Sequence, residues 1–143
     1  MATDMAGLPG ALMPILHAVL EEFGHIGADD PATIADALNL AEAEVHGVVS
    51  FYTDFRRTPP APVRLRICRG EACQAVGAEE LVAHAVAAHG CRVGGRTDDG
   101  RVELEQVFCF GNCALGPTVA VNDTLTGRVH PERLDALLAG EGR

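Results

Sequence analysis

The chain has 143 residues, 48% of them hydrophobic, with no Trp and a formal net charge of −9. This suits one globular domain, or one domain with a small helical extension, and excludes a disordered chain. The acidic balance also excludes nonspecific nucleic-acid binding, because phosphates repel such a surface.

A chain of this length buries roughly 68–70% of its unfolded surface and does not depend on disulfides. Residues 1–10 lack a basic leader, and the apolar run 11–20 is interrupted by Pro14 and His17. No stretch approaches the roughly 18 apolar residues of a membrane span. The chain is therefore expected to be cytoplasmic, where cysteines serve metals or catalysis more often than disulfides.

The first segment, residues 1–57, reads as helical. Leu12, Ile15, Leu16, Val19, Leu20 and Phe23 recur at spacings of three and four, and Gly24 stops the run. Pro14 falls in the first turn, where it costs little. Asp30 is expected to cap a second helix with Pro31 at its first position and Ile34, Ala35 and Leu38 inward. A third helix begins near Ala41 and carries Val45, Val48, Val49, Tyr52 and Phe55. The expectation is a small helical bundle that packs on something else. Residues 58–62, Thr-Pro-Pro-Ala-Pro, deny both helix and central strand and read as a stiff linker.

Residues 63–143 read as a compact α/β sandwich of order β-α-β-β-β-α. Val63, Leu65 and Ile67 alternate with Arg64 and Arg66 in a half-buried strand that ends at Cys68. Ala78–His89 is a helix stopped by Gly90. Val102, Leu104 and Gln106 alternate in a second strand. Residues 118–121 and 125–129 flank Asn122-Asp123-Thr124 as a hairpin, and Pro131 opens a last helix through Leu134, Leu137 and Leu138.

Four of the five cysteines form two pairs, Cys68-x4-Cys73 and Cys109-x3-Cys113. Each pair follows a strand and sits in a glycine-bearing loop, where backbone N–H groups can approach sulfur. Four soft anionic ligands suit an iron–sulfur cluster. Structural zinc usually takes a two-residue gap on at least one side, so spacing favours two irons over zinc by a modest margin. Free thiols, or a disulfide within each pair, are the other readings. Cys91 stands outside both pairs and reads as a small core or strand residue.

Other chemistry is thin. His17, His25, His46, His84, His89 and His130 fall in no metal-binding spacing and read as surface or capping residues. The pairs Glu21-Glu22, Glu79-Glu80 and Asp98-Asp99 are adjacent in sequence and cannot face each other on a helix. No P-loop, G-x-G-x-x-G or G-x-S-x-G motif is present, so no catalytic, flavin or nucleotide site is expected on this chain.

The segments Cys68-Arg69-Gly70-Glu71-Ala72-Cys73 and Cys109-Phe110-Gly111-Asn112-Cys113-Ala114-Leu115-Gly116-Pro117 resemble the thioredoxin-like [2Fe–2S] proteins. That family includes the small iron–sulfur subunit of respiratory NADH dehydrogenase and counterparts in NAD-linked hydrogenases and formate dehydrogenases. Leu12-Met13-Pro14-Ile15-Leu16-His17 and His46-Gly47-Val48-Val49-Ser50-Phe51-Tyr52 are similar to the family's helical N-terminal region. Residues 10–139 are covered. Within the family, the second cysteine segment and the short ends most resemble the gamma subunit of the soluble, molybdenum-containing, NAD-dependent formate dehydrogenase.

The resemblance implies a thioredoxin-like fold carrying one [2Fe–2S] cluster on Cys68, Cys73, Cys109 and Cys113. It also implies docking of the helical region on a flavin (FMN)- and NAD-binding beta subunit, and through it a molybdenum-containing alpha subunit. Pro117 is similar to the family proline that precedes a strand and is often cis; a trans turn proline is the alternative. Such a cluster would carry one electron, near −400 mV if it follows the plant type. Arg69 would either lend it a positive charge or be solvated. Phe51, Tyr52 and Phe55 would be either interface anchors or core. A free-standing ferredoxin and a zinc-stabilised module are the competing classes.

Overall fold

A computed structural model describes residues 9–140, so most of the segment 1–10, on which the expectation of no leader rests, lies outside the described residues. The chain divides into two compact units, one up to Pro60 and one from Ala61.

The first unit holds helices α1 (Leu12–Phe23), α2 (Asp30–Leu38) and α3 (Glu42–Phe51). Ile15 and Leu16 of α1, Ile34 and Ala35 of α2, and Val45 and Val49 of α3 close one core with Ile26 and Phe55. Gly24 ends α1 in the left-handed region, and its N–H bonds the Leu20 carbonyl. Asp30 differs from its expected role. Its carboxylate accepts the Gly27 N–H at 2.7 Å, so it ties down the preceding loop instead of capping the helix. Helix α3 starts where Glu44 reaches back to the Ala41 N–H at 2.9 Å, half of a capping box. It stops at Phe51, sooner than its apolar periodicity suggests. Phe55 still reaches the core, from a turn in which its N–H bonds the Tyr52 carbonyl.

The second unit is a five-stranded mixed sheet of order β2-β3-β1-β4-β5. Its strands are β1 (Val63–Cys68), β2 (Gly95–Arg96), β3 (Val102–Val107), β4 (Val119–Val121) and β5 (Thr124–Thr126). Helices α4 (Glu71–Gln74), α5 (Ala78–His89) and α6 (Pro131–Gly140) complete it, with one 3-10 turn at Cys113–Leu115. The central strand β1 runs parallel to β3 and antiparallel to β4. Alternation in β1 sends Val63, Leu65 and Ile67 to a core shared with Leu104, Val119 and Val121 of the sheet and with Leu81, Ala85, Leu134 and Leu138 of α5 and α6. The other face is charged: Arg64 pairs with Glu105 at 3.3 Å, and Arg66 pairs with Asp123. Asn122 and Asp123 both have positive φ, the type I′ geometry of a two-residue hairpin loop. Strand β5 ends at Thr126, short of the expected Val129: Gly127 and Arg128, the latter at positive φ, carry the chain out of the strand, and Val129 is buried in the core.

Leu65 is fully buried where both pairings of β1 cross, opposite Leu104 and Val121. Leu65→Ala is expected to cost about 2–5 kcal/mol, read as a lower urea midpoint by circular dichroism. Leu125→Ala, at a half-exposed hairpin position, is expected to change stability by less than about 0.5 kcal/mol.

Candidate functional site

The parallel pairing sets Cys68, the last residue of β1, opposite Val107, the last residue of β3. The two cysteine loops therefore leave the sheet at the same end and side by side. In the first loop the Arg69 N–H bonds the Val107 carbonyl at 2.7 Å, and the chain then turns at Gly70. The Cys73 and Gln74 N–H groups bond back to the Gly70 carbonyl at 2.9 and 3.0 Å, forming the single turn α4 that presents Cys73. A Cβ at position 70 would stand 2.6 Å from the Phe108 carbonyl oxygen of the second loop. Only glycine allows the two loops to approach this closely.

The second loop carries Cys109, passes through the 3-10 turn at Cys113, and reaches β4 through a cis Gly116–Pro117 bond. The Arg128 N–H bonds the Leu115 carbonyl at 2.7 Å, bracing the loop from beyond β5. Gly127 lies so near that a Cβ there would meet the Leu115 oxygen at 2.7 Å and the Leu115 Cβ at 2.8 Å.

These supports gather all four paired thiols. Cys68 and Cys73 are 2% exposed, whereas Cys109 and Cys113 are exposed. The Sγ atoms of Cys109 and Cys113 are 3.6 Å apart. A disulfide needs about 2.05 Å, and all five cysteines are free. Two thiolates on one tetrahedral metal, with bonds of about 2.3 Å, stand about 3.8 Å apart, close to what is found. The Gly111 N–H donates to Cys109 Sγ at 3.2 Å, the kind of backbone contact the loop glycines suggested.

The electrostatics show what is needed to keep the thiols together. Burial pushes the Cys73 thiol up, reinforced by its hydrogen bond to Cys68 and by the charges of Cys68 and Cys113; the Thr118 backbone opposes this. Cys113 is raised first by its hydrogen bond to Cys109 and then by the charge of Cys109, with a further contribution from Cys68. Influence thus passes between the two pairs as well as within them. Four thiolates at this spacing repel one another and require a compensating cationic centre. The donor set fits an all-thiolate iron–sulfur cluster.

Three side chains fall elsewhere. Cys91 is fully buried in the core of the second unit, among aliphatic side chains. Arg69 is tied to neighbours at the protein surface. Its guanidinium grips Glu79 with two bonds, at 2.8 and 2.9 Å, and donates to Gln106 at 2.8 Å, so its charge is matched locally. Glu79 also holds the Arg69 pKa above its usual value. Arg66 lies over the ring of Phe110 in the second loop, 5.7 Å from its centroid. The structure also gathers His84, His89 and Asp135, which no spacing in the sequence connects.

The model of the thioredoxin-like [2Fe–2S] ferredoxin family matches residues 2–141. The chain is 34% identical over 130 residues to NADP-reducing hydrogenase subunit HndA of Solidesulfovibrio fructosivorans, covering 91% of this chain and 76% of that one. It is 36% identical over 135 residues to NADH-quinone oxidoreductase subunit 2 of Thermus thermophilus, covering 94% and 75%. Among solved structures, an NAD+-reducing [NiFe]-hydrogenase in the air-oxidized state superposes with a TM-score of 0.77 at 27% identity. That match covers 92% of this chain and 22% of the hydrogenase chain. The gathered thiols and these likenesses agree: the chain belongs to the thioredoxin-like [2Fe–2S] ferredoxin family, and its cofactor is one [2Fe–2S] cluster.

Proposed function

We propose that Cys68, Cys73, Cys109 and Cys113 hold this cluster and that the chain is an electron-transfer subunit of a soluble, NAD-dependent formate dehydrogenase. The observation that carries the ligand assignment is the convergence of these four thiols from two loops at one end of the sheet, with Cys109 and Cys113 3.6 Å apart. When bound, the cluster supplies a one-electron couple between formal charges of −2 and −3. The protein's part is to hold the thiolates, to donate the Gly111 N–H to Cys109, and to keep water from Cys68 and Cys73. It offers no substrate site of its own in this reading and works as a non-catalytic subunit.

The exposed pair gives electrons a way in and out. Around it, Val76, Phe108 and Leu115 are exposed apolar side chains, suited to the face of a partner that excludes water at the transfer point. The partner in this reading is the flavin (FMN)- and NAD-binding beta subunit, joined to a molybdenum-containing alpha subunit. Residues 1–57 act as the docking region, 58–62 as linker and 63–143 as the cluster domain. Phe51 and Tyr52 serve as anchors: they are 77% and 45% exposed, whereas Phe55 is 3% exposed and belongs to the core. No helix among the described residues is long and apolar enough to cross a membrane.

The formate dehydrogenase branch is supported by the wording of the segment Cys109–Pro117 and by nothing in the fold. The second reading is the equivalent subunit of an NAD-linked hydrogenase or NADH:quinone oxidoreductase, favoured by the names of the relatives above. Affinity purification of the native complex separates them. Co-purifying molybdenum and formate-dependent NAD+ reduction support the first reading; nickel or quinone reduction without molybdenum supports the second. A lone monodisperse chain overturns both in favour of a free ferredoxin.

Purified protein is expected to be red-brown, with two irons per chain and visible absorption that bleaches on dithionite. Cys68→Ser or Cys113→Ser is expected to abolish or strongly deplete that absorption, and Cys91→Ser to preserve it. Colourless protein holding one zinc per chain would sink the ligand assignment. Gly70→Ala is expected to lower iron content without unfolding the sheet, because its methyl group must push the Phe108 carbonyl away. Iron per chain, measured beside the circular dichroism spectrum, reads that outcome.

A further inference from the structure

Helix α5 and helix α6 meet at a cluster that has no part in holding the thiols. His84 Nε2 and His89 Nε2 both lie 2.8 Å from the same oxygen, Asp135 Oδ1. The three potential donor atoms are all within 4.8 Å of one another. His84 sits inside α5, His89 is its last residue before Gly90, and Asp135 is in the second turn of α6. The two rings stand nearly perpendicular, at 80°, so their nitrogens approach the carboxylate from different directions. All three side chains are partly buried, with 27%, 26% and 46% of their surfaces exposed. The two imidazoles hold the Asp135 carboxyl below its usual range, so it is an anion at neutral pH.

We propose that His84, His89 and Asp135 form a binding site for one borderline divalent transition cation, of which Zn2+ is the representative. Two imidazoles and one carboxylate are the donor set of open zinc and non-haem iron sites, and the nitrogens exclude a preference for Mg2+ or Ca2+. With bonds of about 2.0–2.1 Å, tetrahedral donors stand about 3.3 Å apart. The two His–Asp135 contacts of 2.8 Å need to open by only about half an ångström to admit the ion, and the two imidazole nitrogens already lie within 4.8 Å of each other. His89 and Asp135 also line a cavity of about 340 Å³, together with Thr97, Asp99 and Arg101. The cavity leaves room for a water at the fourth position. Because the donors come from two helices, bound metal would pin α6 to the end of α5 and stabilise the folded second unit by mass action.

The test uses the intact, cluster-loaded protein after gentle chelation, titrated with ZnCl2 by calorimetry, with metal content and visible spectrum followed together. The expected result is one zinc per chain beyond the two irons, an unchanged visible spectrum and a higher thermal midpoint. His89→Gln and Asp135→Asn are each expected to weaken binding by more than about tenfold, the loss typical for even a supporting residue of a metal site. Both should also remove the thermal shift. Absence of zinc uptake by the wild-type chain overturns the proposal, as does uptake that both variants retain or that comes only with bleaching of the cluster. The unchanged spectrum keeps the two sites distinguishable.

Discussion

Parallel pairing of β1 with β3 is the constraint on which the thiol site depends. The two strands run in register from Val63 opposite Val102 to Cys68 opposite Val107. A six-residue strand is about 20 Å long, so an antiparallel pairing would have set the two cysteine loops at opposite ends of the sheet. Parallel strands require a crossover, and here α5 belongs to it, burying Leu81 and Ala85 against the sheet. The hydrophobic face that stabilises the unit and the juxtaposition that makes the site thus come from one topological choice.

The site adds a second demand, because the groups it gathers repel one another. The fold meets this with close contacts between backbones. Phe108 approaches Gly70, and Leu115 is held by Gly127 and the Arg128 N–H. Neither contact has a polar side chain that a substitution could easily replace. The loops are held by the absence of side chains as much as by bonds.

The sequence made the skeleton legible where one physical signal dominated. Strict alternation marked β1, threefold and fourfold apolar spacing marked α1, and two proline-free cysteine pairs after strands marked the loops. It misled where a residue had several partners to choose from. Asp30 looks like a cap, yet a loop N–H three residues earlier is the nearer donor. Arg69 stands next to Cys68 in sequence, but a bidentate carboxylate ten residues on captures it. The aromatic side chains split, Phe55 inward and Phe51 outward, because the chain leaves the helix between them. The cluster of His84, His89 and Asp135 was invisible because its partners are 46 and 51 residues apart and meet only when two helices dock.

The brace on the second loop sets the order of events for a growing chain. Leu115 is fastened by Gly127 and Arg128, which are synthesised after it and reach it only once the β4–β5 hairpin has formed. A nascent chain that has just exposed Cys113 therefore has its thiols but not their geometry. A chain truncated before residue 127 keeps all four thiols and loses both contacts that hold Leu115, so the support of the second loop lies outside the loop itself.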